Sequence, residues 1–183
     1  MESIDLIRIR RRVRLAYEFG RFQWAIFGIA PVALLVCIAM CFVPRPISTL
    51  WFGMAIVVIG ATMLWYGRDP QRAVLPGVIA GLIPLVLALC ANNMHMCGAE
   101  GCTTLCVPAC VLGGVVAGLL VTYVGHLRRA GLLFLFSASV LALLTGAMGC
   151  SCVGFSGIIG LGIGFWTGVV PVLLRMLFSR KTY

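Results

Sequence analysis

Nine cysteines carry most of the chemical potential of this sequence, at positions 37, 41, 90, 97, 102, 106, 110, 150 and 152. Cys106 and Cys110 are four residues apart, as are Cys37 and Cys41, so on a helix each pair presents two sulfurs in one direction. The stretch Asn92-Asn93-Met94-His95-Met96-Cys97 adds two thioethers and an imidazole. Thiolate, thioether and imidazole together suit a soft or borderline metal ion, Zn, Cd, Cu or Hg, with His95, Cys97, Cys102, Cys106 and Cys110 as candidate ligands. The spacing fits no standard zinc motif. In an oxidising compartment the same thiols can form disulfides, and an odd count leaves at least one outside any intramolecular pair. For Cys97, Cys102, Cys106, Cys110, Cys150 and Cys152 three readings stand together: structural disulfides, a redox- or metal-responsive set, or inert packing. Cys37, Cys41 and Cys90 read as small, polarizable packing residues.

The elements that position these residues follow from composition. The 183 residues are 62% apolar and 10% charged, with mean hydropathy +1.10, which excludes an ordinary water-soluble globule and a disordered chain. Crossing about 30 Å of hydrocarbon takes roughly 20 apolar residues in a helix, whose backbone satisfies its own hydrogen bonds. Six stretches qualify, at about 23–43, 47–66, 73–91, 105–125, 132–150 and 154–175. The expected fold is therefore all-α: a polytopic membrane protein with six transmembrane helices. It divides into a basic amphipathic segment at 1–22, a six-span domain at 23–178 and a tail at 179–183.

Thirteen of the fourteen Arg and Lys residues fall in the N-terminal segment, the second and fourth connectors and the C-terminal end; only Arg45 lies on the other side. The positive-inside rule then places both termini in the cytoplasm, which reads the net charge of +9 largely as topology. Every cysteine falls in the outer half of the bilayer or beyond it. The first span has a basic segment before it but is full length, with no small-x-small cleavage site after it, and reads as an uncleaved anchor.

Gly77 and Gly81, Gly114 and Gly118, Gly160 and Gly164, and Gly164 and Gly168 are four apart, a spacing that lets helix backbones approach closely. Packing within the bundle is the first reading and a homodimer the second. No Asp, Glu, Lys or Arg lies deep in a span, where ion-coupled transporters and proton pumps usually need one. Neither a phosphate-binding loop nor a carboxylate or Ser/His/Asp set is visible, so the chain does not read as a hydrolytic or phosphoryl-transfer enzyme. In the N-terminal segment, Leu6, Ile9, Val13 and Tyr17 follow a 3-4-4 helical spacing among Arg8, Arg10, Arg11, Arg12 and Arg14. Such a helix either lies on anionic lipid or docks an acidic cytoplasmic partner, with Leu6, Ile9, Arg10, Arg11, Val13, Arg14 and Tyr17 as contacts. Direct nucleic-acid binding is not expected, because no folded reading module is present.

The opening Met1-Glu2-Ser3-Ile4-Asp5-Leu6-Ile7, the six spans, Cys102-Thr-Thr-Leu-Cys106-Val-Pro108-Ala-Cys110 with Gly113-Gly114, and Gly149-Cys150-Ser-Cys152 before a glycine-rich last span form one pattern. It resembles the multi-span bacterial anti-sigma factors of the negative-regulator-of-sigma-F and CarR-like groups. Relative to that pattern, the chain has extra cysteines and a shorter cytoplasmic segment. The resemblance implies an inner-membrane protein whose N-terminal segment sequesters an extracytoplasmic-function sigma factor and releases it when outer cysteines sense metal or oxidant. It also implies two sensor cysteines, one within 102–110 and the other at Cys150 or Cys152. Three rivals are a soft-metal transport or binding protein, a membrane thiol oxidoreductase and a purely structural or assembly subunit. The first lacks soft ligands at the inner face, and the second lacks the C-x-x-C of its families.

Overall fold

A computed structural model describes residues 2–42, 46–66, 68–93, 102–151 and 154–179. Those residues form six long helices: α1 (Glu2–Phe42), α2 (Pro46–Tyr66), α3 (Arg68–Asn93), α4 (Cys102–Leu127), α5 (Leu132–Cys150) and α6 (Phe155–Ser179). Each is long and apolar enough to cross a membrane, so the fold is an all-α, multi-pass membrane bundle.

Two boundaries differ from the sequence reading. The expected spans at 47–66 and 73–91 leave residues 67–72 between them, but α3 already starts at Arg68. Pro70 sits in its first turn, where a missing backbone N–H costs no ladder bond. α1 runs unbroken for 41 residues, about 60 Å at 1.5 Å per residue, or roughly twice the hydrocarbon thickness. The basic N-terminal segment is thus helically continuous with the first span. Pro31, Pro84, Pro108 and Pro171 lie inside helices, as expected of spans whose neighbours compensate the lost bond.

Small residues decide which helices meet. A Cβ on Gly114 would stand 2.5 Å from the Leu161 carbonyl oxygen, and one on Gly118 would stand 2.5 Å from that of Phe165. Gly164 abuts the Val111 backbone and Gly168 that of Val115, so α4 and α6 run parallel with their backbones nearly touching. Gly77 and Gly81 do the same for α3 against Ala138 and Ala142 of α5. The glycine faces singled out in the sequence are therefore used within the chain. α4 packs most extensively on α6, and α3 on α5, while α1 lies chiefly along α2. The hairpin α1–α2 is the outer layer: its spans are 24% and 22% buried, against 56% and 61% for α3 and α5.

The hydroxyls of the buried Thr122 and Thr145 and of the exposed Thr167 satisfy themselves on their own helices. Thr122 donates to the Gly118 and Leu119 carbonyls at 2.9 Å each, Thr145 to Leu141 at 2.7 Å and Thr167 to Gly164 at 2.7 Å. Donation to the carbonyl one turn back keeps a polar group off the lipid.

Candidate functional site

Helix direction sorts the reactive residues to opposite ends of the bundle. Arg10, Arg12 and Arg14 start α1, Arg72 is in the first turns of α3, and Arg128 and Arg129 close the α4–α5 turn. Arg128 donates to the Arg72 carbonyl at 3.3 Å, which ties the α4–α5 turn to the start of α3 at the arginine end. Arg129 takes φ 47°; the bonds Arg129 N–H to His126 O and Ala130 N–H to Gly125 O make it the left-handed residue of a Schellman turn usually given to glycine. Cys37, Cys41, Cys90, Cys106, Cys110 and Cys150 all lie toward the other end.

At that end the cysteines divide by exposure. Cys37, Cys41 and Cys90 are exposed, so they face the surroundings of the bundle rather than filling its interior as the packing reading has it. Cys106 and Cys110 are buried together, the outcome their i, i+4 spacing requires once that face turns inward. Cys150, the last residue of α5, is 0% exposed and Cys110 only 1%. They meet: the two side chains share a hydrogen bond between α4 and α5. Ala88, Ala147 and Leu161 enclose them, with Phe52 of α2 and Leu143 packed against the cluster, so the pair sits in an apolar pocket to which α2 to α6 all contribute.

Glycine makes that pocket possible. Gly149, next to Cys150, lies so close to Leu85 that an added Cβ would be 2.9 Å from its Cα. This pulls the end of α5 against α3 and turns Cys150 toward α4. Ser151 continues the link on the other side: its hydroxyl donates to the Met148 carbonyl at 2.9 Å and accepts from Ser48 of α2 at 3.5 Å. The residue beside the thiol pair is thereby connected to the hairpin that carries the N-terminal helix.

Among the other expected site residues, His95, Cys97 and Cys152 lie outside the described residues, and Cys102 is described only as the first residue of α4. No group of three or more His, Cys, Asp or Glu side chains suited to a metal occurs among the described residues. Of the proposed partner contacts, Arg10, Val13, Arg14 and Tyr17 are exposed on α1, Val13 at 63% and Tyr17 at 65%. Leu6, Ile9 and Arg11 belong to α1, with side chains outside the described set. The residues sequence reasoning missed are Ser48 and Ser151. A hydroxyl near a helix end gives no signal until its cross-helix neighbour is known.

The arrangement allows two thiol reactions. A two-electron oxidant such as a peroxide converts the two thiols to one disulfide, with reduction of the peroxide to two waters. A soft cation binds both sulfurs as thiolates and releases two protons. No protein-family model, curated protein or solved structure matches the chain.

Proposed function

We propose that this chain is an anti-sigma factor of the bacterial inner membrane. Its N-terminal helix holds an extracytoplasmic-function sigma factor at the cytoplasmic face, and its cysteine end, at the outer face, responds to oxidant or soft metal. The observation that carries the reading is the meeting of Cys110 and Cys150, one from each of the two stretches in which the family resemblance expects a sensor cysteine.

Two further features support it. The basic helix is continuous with the first span, so the cytoplasmic segment and the span are joined without an intervening loop. The path from the thiol pair to α1 runs through Ser151 and Ser48 to α2, and from α2 to α1 by close packing. Closing a disulfide, or bridging the sulfurs with a metal, changes the spacing of α4 and α5 and shifts the hairpin between two packings. The stimulus acts only through its different affinity for those packings.

The partner is tested by purifying the tagged full-length chain from bacterial membranes and identifying the bound cytoplasmic proteins by mass spectrometry. The expected partner is an extracytoplasmic-function sigma factor, lost in Val13→Asp and in the double variant Arg10→Glu, Arg14→Glu. These changes remove an exposed apolar anchor and reverse the steering charge. Absence of any sigma factor, or its retention by both variants, would sink the reading.

A further inference from the structure

We infer that the arginine end of the bundle binds an anionic phospholipid, with the phosphodiester on Arg72, Arg128 and Arg129 and the acyl chains along the outward faces of α3 and α5. The three arginines are exposed. The Arg128 bond to the Arg72 carbonyl holds the α4–α5 turn against the start of α3, so charges distant in sequence are gathered at one place. Residues 67–72 and 128–131 together hold four arginines against a single acidic residue, Asp69, and the surplus is positive. A guanidinium carries its N–H donors in a planar fork that matches a phosphate bidentately, and a single bond to a carbonyl occupies only part of it.

Arg129 is the sharper sign of use. Its φ of 47° lies in the left-handed region, which costs a residue with a Cβ and costs glycine nothing. Helices commonly end on glycine at that turn position, and this chain has 22 glycines, one of them two residues on at Gly131. An arginine kept there at a conformational cost points to a task for its cation.

Farther along the helices the surface turns apolar. On α3, Arg72, Leu75 and Ile79 follow a 3-4 spacing along one face, and all three are exposed. On α5, Leu132 and Phe136 are about one turn apart and largely exposed. The two helices pack on each other. A phosphate ion would use the cations alone, and an acidic soluble protein could not follow the apolar faces into the bilayer. A phosphodiester carrying two acyl chains uses both. Without a cationic headgroup, it also avoids repulsion by the surplus positive charge.

The test titrates full-length, delipidated protein in neutral detergent with phosphatidylglycerol or phosphatidylcholine and counts bound lipid by native mass spectrometry. One phosphatidylglycerol per chain should be retained. Phosphatidylcholine, and phosphatidylglycerol on the triple variant Arg72→Gln, Arg128→Gln, Arg129→Gln, should each bind at least roughly tenfold more weakly. Arg129→Gly separates binding from folding: it should raise the melting midpoint in phosphatidylcholine nanodiscs, because the left-handed residue is then glycine, and still weaken phosphatidylglycerol binding. Equal retention of the two lipids would overturn the proposal, as would unchanged binding in the triple variant or in Arg129→Gly. Full competition by glycerophosphoglycerol, the headgroup without its chains, would reduce the site to one for a soluble anion and overturn it too. Loss of a bound soluble protein from Arg129→Gly with lipid binding intact would make this a protein-docking surface instead. None of these outcomes bears on the thiol pair or on the partner proposed for α1.

Discussion

Serine at Cys150, or at Cys110, should leave the chain folded in the membrane and reduce its response to peroxide and soft metal to background. Both side chains are essentially fully buried, and serine fills nearly the same volume. Its hydroxyl can donate to the carbonyl one turn back, as Thr145 does in the same helix, so the expected stability cost is about 1 kcal/mol. The chemistry has no such substitute: a hydroxyl forms no disulfide and binds soft cations poorly. The same change at the exposed Cys37, Cys41 or Cys90 should leave the response intact. The measurement is a sigma-dependent transcriptional reporter, with membrane levels of each variant as the control. A normal response in both Cys110→Ser and Cys150→Ser would remove the thiol pair from the mechanism.

The second large effect concerns stability, and it separates two glycines two residues apart. Alanine at Gly164 should cost roughly 3 kcal/mol, the upper part of the usual overpacking range, because the obstacle is the Val111 backbone rather than a side chain that can rotate. α6 would have to move away from α4, and the pocket wall contributed by Leu161 would move with it. Alanine at Gly162, where nothing lies within 4 Å, should be neutral or stabilising by up to about 1 kcal/mol through helix propensity. Thermal denaturation midpoints in detergent read the contrast. Equal midpoints for the two variants would show that α4 and α6 do not approach as closely as described.

The six spans were legible because hydrocarbon thickness imposes a length that composition reports directly. The expected 132–150 coincides with α5 (Leu132–Cys150), and 47–66 differs from α2 (Pro46–Tyr66) by one residue at its start. Glycine spacing identified the faces that approach closely but could not name their partners. Nothing in Gly114 and Gly118 says that α6 rather than α3 lies opposite, because lateral order in a bundle leaves no periodic trace. The thiol pair was half legible for the same reason. Chain position brought two groups of cysteines to one end, whereas the choice of Cys110 and Cys150 depends on how α4 and α5 are rotated, which Gly149 against Leu85 helps to set. The change of character near residue 22 was legible as charge, whereas the continuity of α1 across it was not, because a helix has no reason to break where only the solvent changes.

The most direct measurement follows sulfur and partner in one sample. Membranes carrying the full-length chain and its bound sigma factor are treated with graded peroxide, and peptides are mapped by mass spectrometry while the sigma factor remaining on the membrane is quantified. The account predicts that a Cys110–Cys150 disulfide accumulates in step with sigma-factor release. Release while both thiols remain reduced would contradict it.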